Sequence, residues 1–254
     1  MSFYRDFKDF ILSYDYDLDK NFVISFPKTG RTWLRHMIQE MIRKSTNKLD
    51  VTFTHDHSEI ITEDGVRNDT KFIFNHIRRK RYKRARVIFL VRNPKDVVVS
   101  HYHQITKRSL KPLKFSSMSS FIRNNELGFN RIIHFYNLWF KQKNEVRDFL
   151  LIKYENMTMS SDTLFLVSEF LKLKLDKEIV NNIYNEFTSE KMRKKELRGD
   201  LNNSMSFGTE LNSLKVRKAK VGTYKHEMNK DDICLLYTSP SPRDRTRSRM
   251  PSSA

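Results

Sequence analysis

Apolar residues fall in short continuous runs, and most of these runs lead into a stretch of helical periodicity. The first, Phe22-Val23-Ile24-Ser25-Phe26, has the length and composition of a buried strand. Pro27 ends it, having no N–H for a sheet ladder, and Gly30 marks a sharp turn. Beyond the turn, Trp33, Leu34, Met37, Ile38, Met41 and Ile42 recur at helical spacing. Residues 47–50 read as a turn, Val51 to Thr54 as a short strand, and Phe72 to Phe74 as another. The apolar run ending at Val91 reads as a central parallel strand. Asn93, Pro94 and Asp96 follow it at the N-cap, first and third positions of a helix that continues to Tyr102. Residues 105–115 read as a basic loop and 118–148 as helical. Residues 148–155 read as a strand, and 163–175 as an amphipathic helix capped by Asp162. Residues 1–20 read as a leading helix or extended arm. Strands that feed helices predict an α/β fold with a central, mostly parallel sheet flanked by helices.

Charge narrows the partners. The 254 residues carry a formal net charge of +18, which calls for anions: phosphate or sulfate esters, nucleic acid, or an acidic surface. The single cysteine, Cys234, excludes a disulfide framework and a thiol metal site. No apolar run approaches the ~20 residues of a membrane-spanning helix, and the first twenty residues lack a signal-peptide core. The expectation is a soluble, cytoplasmic protein without a membrane partner. The basic run from Arg78 to Arg84 reads as a solvated face or turn, with nucleic-acid contact as the alternative. From Leu235 onward the chain is rich in Ser, Pro and Arg without periodicity and is expected to be disordered. The division is therefore one domain over residues 1–232 and a tail over 233–254.

Three segments carry candidate chemistry. A strand, a tight loop holding Lys28 and then a helix form an anion cradle, in which backbone N–H groups and the positive helix end face the loop. The Walker spacing is absent, so the loop is not a Walker nucleotide loop. Arg92 leaves the end of the second strong strand, and Ser100 lies about two helical turns further on. Arginine offers a bidentate fork to a phosphate, and the serine hydroxyl one more bond. His55, at the end of the strand over 51–54, has the pKa range of a general base. His55 and His57 supply only two metal ligands, so no metal is expected. The aromatic residues of 121–140 read first as core.

Pro27-Lys28-Thr29-Gly30-Arg31-Thr32-Trp33 resembles the 5′-phosphosulfate loop of sulfotransferases, Pro-Lys-Ser-Gly-Thr-Thr-Trp, with Thr29 for Ser and Arg31 for the first Thr. Thr54-His55 resembles that family's catalytic Thr-His, with Phe53 where many animal members have Lys. Arg92-Asn93-Pro94-Lys95-Asp96-Val97 with Ser100 resembles the 3′-phosphate segment position for position. Tyr154-Glu155 resembles the Tyr-Glu of the strand near the adenine. Thr188 to Met192 resembles the Thr-Ser-Phe-Glu-x-Met segment beside it, one residue shorter. Arg217-Lys218-Ala219 through Lys225 resembles the C-terminal Arg-Lys-Gly-x-x-Gly-Asp-Trp-Lys, with Ala219 for the first Gly and Thr223-Tyr224 for Asp-Trp.

The resemblance runs from about Phe22 to Met228 and implies a P-loop-like three-layer fold. It also implies 3′-phosphoadenosine 5′-phosphosulfate (PAPS) as sulfuryl donor, no metal, and a small-molecule or sugar acceptor. His55 would be the base and Lys28 the charge stabiliser. The donor would be held by Lys28, Thr29, Gly30, Arg31, Thr32, Trp33, Arg92, Ser100, Tyr154, Thr188, Met192, Arg217 and Lys218. By the resemblance the family's closing helices are expected to be absent, and the tail resembles translated adapter or vector sequence. Three readings compete: a P-loop kinase, a non-catalytic nucleotide binder, and a basic nucleic-acid binder. The missing Walker spacing weighs against the first, and His55 against the second. No nucleic-acid motif supports the third, so no specific nucleic-acid partner is expected.

Overall fold

The structure, a computed structural model, describes residues 20–55, 61–62, 65–66, 82–107, 112–198 and 220–238. Strand β1 (Asn21–Ser25) leads through a five-residue loop into α1 (Arg31–Lys44), followed by β2 (Val51–Thr54). A two-residue antiparallel pair, β3 (Ile61–Thr62) and β4 (Gly65–Val66), stands apart from the main sheet. Next come β5 (Arg86–Val91), α2 (Pro94–Lys107), α3 (Met118–Ile122) and α4 (Phe129–Lys141). Then follow β6 (Asp148–Lys153), α5 (Tyr154–Met159), α6 (Asp162–Phe170), α7 (Lys177–Glu186) and α8 (Ser189–Leu197). Helices α9 (Tyr224–Glu227) and α10 (Lys230–Thr238) complete the described chain.

The main sheet runs β2-β1-β5-β6, parallel throughout. Its strands alternate two apolar faces, because successive side chains point to opposite sides. Phe22, Ile24, Val87 and Phe89 pack with α2, α3 and α4, where Val98, Phe121, Phe135 and Trp139 are buried. Val23, Ile88, Leu90 and Ile152 pack with α1, α5, α6 and α7 through Leu34, Met37, Met157, Val167 and Ile183. Three layers result, as the resemblance implied, around the parallel sheet that the run pattern predicted. From β1 the chain crosses to β2 on one side and afterwards to β5 on the other. The loops after β1 and β5 therefore part at the carboxyl edge of the sheet, the place where open α/β sheets hold ligands.

Several sequence expectations change. Residues 118–148 are not one helix, because the chain breaks between α3 and α4. The Asn124 side chain accepts from the N–H groups of Glu126 and Leu127 there. A Cβ at Gly128 would lie 2.4 Å from the carbonyl oxygens of Phe121 and Ile122, so only glycine passes. Helix α2 continues to Lys107 instead of giving way to a loop at 105. The helix read over 163–175 starts at Asp162 and stops at Phe170; Ser161, not Asp162, is its N-cap, and Lys172 and Lys174 turn left-handed. Tyr154 and Glu155 open α5 and do not end the strand. Within the basic run, Tyr82 is core: its ring meets Phe22 and Trp139 edge-on, at 4.8 and 5.1 Å between centroids. The strand expected over 72–74 lies outside the described residues.

The domain boundary expected after Asp232 falls inside α10. Asp232 is buried, accepts from Ser119 of α3 and from Arg123 at the end of that helix, and Ile233 packs on the core beside it. These contacts tie α10 to the domain as far as they extend.

His101, buried on α2 among Phe26 and Phe121, gives the fold an acid sensitivity. Burial, with a smaller contribution from Lys28, pushes its pKa down to about 4 against the Leu127 carbonyl bond that opposes the shift. Below pH 6.5 the unfolded chain takes up a proton that the folded chain refuses. The contribution is therefore complete above pH 6.5 and is lost as pH falls towards 4, by roughly 3 kcal/mol. Urea midpoints should fall over that range in the parent, and fall less in His101→Gln.

Candidate active site

The loop between β1 and α1 is a nest for an anion. Lys28 and Gly30 both take positive φ, 70° and 96°, and the Thr29 hydroxyl donates to the Phe26 carbonyl at 2.8 Å inside the turn. Among the described residues no side-chain cap bond forms at the start of α1, whose N-cap is Gly30, and the first turn carries no acid. Its N–H groups thus face the loop uncompensated, which favours a bound anion. The contrast with α2 is direct. There Asn93 Oδ1 accepts from the Lys95 N–H at 3.0 Å, as the sequence predicted, and Asp96 occupies the first turn. Gly30 also admits the ring of Tyr154, since a Cβ would lie 2.5 Å from Tyr154 Cδ2. Gly30→Ala should cost roughly 2 kcal/mol or more, from backbone strain plus the collision. Urea denaturation and nucleotide affinity would both report it.

Arg92 closes the far side of the nest. Its Nη1 donates to the Lys28 carbonyl at 3.3 Å and its Nη2 to the Lys220 carbonyl at 3.1 Å. The guanidinium lies 4.5 Å from the Tyr154 ring centroid and 4.0 Å from Asp96 Oδ2. Two residues that sequence reasoning missed set this strand end. The Tyr136 hydroxyl donates to the Arg92 carbonyl and accepts from its N–H, and burial raises its pKa so that it stays protonated. Glu155 accepts from the Asn93 N–H at 2.8 Å. Neither had a sequence signal beyond lying in a mixed aromatic or strand-end segment.

Asp96 is the anchor of the C-terminal segment. Only 1% exposed, it accepts from the Gly222 and Tyr224 N–H groups and the Thr223 hydroxyl, at 2.8 to 3.1 Å. The chain leading out of residues 217–218 is thereby brought to Arg92 at Lys220. Arg217 and Lys218 themselves lie outside the described residues, as does His57.

Trp33 and Tyr154 meet edge-to-face with centroids 6.0 Å apart. The Trp33 indole N–H donates to the Phe187 carbonyl at 2.5 Å, which brings Thr188, the next residue, to the same corner. Tyr184 joins this aromatic group, 6.1 Å from Trp33, without having been expected. The Met192 side chain is buried in the core beneath the corner, and its N–H donates to the Thr188 carbonyl at 2.8 Å. Thr32 and Ser100 are half-buried on α1 and α2.

His55 stands at the end of β2. Its Nδ1–H donates to the Ser25 carbonyl at 2.7 Å, which makes Nε2 the basic nitrogen of the neutral ring. Burial first, then Arg31, with Arg35 and Lys28 adding, pushes its pKa down to about 3 although the Ser25 bond opposes the shift. The Lys28 ammonium donates to Gln104 Oε1 of α2 at 3.1 Å. A neutral imidazole, a loop lysine, an uncapped helix start and an arginine therefore meet at the sheet's switch point. Such a group can hold a multiply charged anion while a base takes a proton beside it.

Known proteins resemble this chain in sequence and in fold. A profile of the sulfotransferase domain matches residues 18–236. The amine sulfotransferase of Oryctolagus cuniculus is 27% identical over 231 residues, 83% of this chain and 75% of the relative. The flavonol 3-sulfotransferase of Flaveria bidentis is 25% identical over 234 residues, 81% and 75% of the two chains. Mouse sulfotransferase SULT7A1, solved in complex with PAP, shares the fold at a TM-score of 0.62 and 17% identity, over 89% of this chain and 84% of that one. The family match spans most of the sequence, and the chain belongs to the sulfotransferase domain family of enzymes.

Proposed function

We propose that this enzyme moves a sulfuryl group from PAPS to a hydroxyl or amine of a small-molecule or sugar acceptor, with His55 as base. The observation that carries the reading is the meeting of Lys28, Arg92 and the bare start of α1 around a left-handed loop, with neutral His55 at the neighbouring strand end. The relatives' names, an amine and a flavonol sulfotransferase, support acceptors of this size, and the PAP bound to mouse SULT7A1 supports the donor.

Bound donor would supply an activated sulfur joined through oxygen to its 5′-phosphate. His55 Nε2 takes the acceptor proton while the acceptor oxygen or nitrogen bonds to sulfur. The electron pair of the breaking S–O bond stays on the phosphate, where Lys28 and the loop N–H groups meet the growing charge, with Thr32 assisting. Lys28 must exchange its Gln104 partner for that oxygen. Trp33, Tyr154 and Thr188 flank the adenine. Arg92 and Ser100, with Arg217 and Lys218 by resemblance, hold the 3′-phosphate; Met192 supports this pocket from the core.

The test is transfer of labelled sulfate from PAPS to a panel of phenols, alcohols, amines and sugars. Labelled product with at least one class, together with PAP binding by calorimetry, is expected. Absence of PAP binding would overturn the reading.

A further inference from the structure

The face of α1 turned towards His55 carries two arginines, Arg31 and Arg35, one helical turn apart and in the first two turns, where the helix end is itself positive. Arg35 reaches over β2: its guanidinium carbon lies 4.9 Å from the centroid of the Phe53 ring, two residues before His55. Its Nε is buried without a hydrogen-bond partner among the described residues. A buried donor left in that condition is favourably paired by an incoming acceptor. Both arginines and Lys28 act electrostatically on the His55 ring, so this part of the site is strongly positive where the nucleophile must arrive.

Strand order separates two regions of positive charge. Arg92 sits at the end of β5, on one side of β1, and binds the Lys28 carbonyl there. Arg35 and Phe53 sit on the other side, over β2. A donor held by the loop, Lys28 and Arg92 would leave Arg35 on the acceptor's side of the sulfuryl group.

We propose that Arg35, over Phe53, forms a subsite for an anionic group on the acceptor, with Arg31 at the donor loop adding its charge behind it, so that the enzyme selects hydroxyl or amine acceptors bearing a carboxylate or phosphate. This rests on the sulfotransferase reading and adds the acceptor class to it. The Phe53 ring and the Arg35 stem form the wall of the subsite, and the guanidinium supplies planar donors matched to a carboxylate or phosphate.

The test compares 4-hydroxyphenylacetate with its uncharged amide, 4-hydroxyphenylacetamide, as acceptors of labelled sulfate from PAPS, in the parent protein, Arg35→Met and Arg35→Lys. Methionine keeps an apolar stem over Phe53, and thermal melting checks that each variant is folded. The parent should favour the acid by about tenfold or more in kcat/KM, the scale of one charge-assisted contact. Arg35→Met should abolish that preference through the acceptor KM, and Arg35→Lys should restore part of it. Equal use of acid and amide by the parent overturns the proposal. A rise in the KM for PAPS with an unchanged acid preference also overturns it, because the arginines would then serve the donor's own sulfate. If neither compound is sulfated, calorimetry of 4-hydroxyphenylacetate on the PAP-bound protein decides. Binding that Arg35→Met removes upholds the subsite while the assigned reaction fails, and absence of binding overturns the subsite.

Discussion

Lys28→Met should lower kcat for sulfuryl transfer by about a hundredfold or more, the usual effect of removing one preorganised stabiliser of developing charge. Methionine keeps the stem and loses the ammonium. The loop itself should survive, because its shape rests on the Thr29 hydroxyl bond to Phe26, the left-handed Gly30 and the Arg92 bond to the Lys28 carbonyl, none of which uses the Lys28 side chain. Affinity for PAP should therefore fall far less than kcat. A loss of PAP affinity with kcat unchanged would mean that Lys28 only binds the nucleotide, and no change in either would remove it from the site altogether. Steady-state kinetics with saturating PAPS, paired with calorimetry, separates the three cases.

His55→Gln should lower kcat by about a hundredfold to ten-thousandfold, the contribution of a positioned general base. Glutamine can still donate to the Ser25 carbonyl, so the end of β2 keeps its bond while the basic nitrogen is lost. The pH dependence carries the sign. With a pKa near 3 in the free protein, the imidazole is neutral across pH 5 to 8, and only protonation would stop it acting. With a low, fixed concentration of an alcohol acceptor that has no titration of its own, log kcat/KM for PAPS should show no His55 limb near 6.5, since that parameter reports the free enzyme. Arg31, Arg35 and Lys28 are among the causes of the low value, and an anionic nucleotide beside them offsets their field. PAP binding should therefore raise the His55 pKa, which the imidazole proton shifts in an NMR titration with and without PAP would show. A limb near 6.5 in kcat/KM would contradict the buried, cation-ringed site.

Much of the loop after β1 and of the start of α2 was legible along the chain. A βα junction is local: Pro27, Gly30 and the α1 periodicity are consecutive, and Asn93 caps α2 from the position its side chain implied. The partners of that junction were not legible. Tyr136 lies 44 residues from Arg92 and reads as one aromatic among many in an apolar helix. Asp96 read as an ordinary first-turn acid and instead anchors a turn 126 residues onward. Residues 118–148 misled because their apolar content is high enough for one long helix. The break depends on three carbonyl oxygens crowding Gly128, a condition set by the folded backbone. Met192 matched a binding motif, yet its side chain is taken up by the core.

Sequence alone determined that the strands ending at residues 25 and 91 each lead into a helix, the nest at residues 27–33, the cationic character and the family resemblance, because these depend on residue type and near-neighbour spacing. Tertiary structure alone decided that Arg92 bridges the Lys28 and Lys220 carbonyls, that His55 is neutral, and that Arg35 crosses onto Phe53. Each of these needs segments from different strands brought to one edge of the sheet. A crossover fixes such distances only when the chain packs, and burial, which sets the charge state of His55, exists only then.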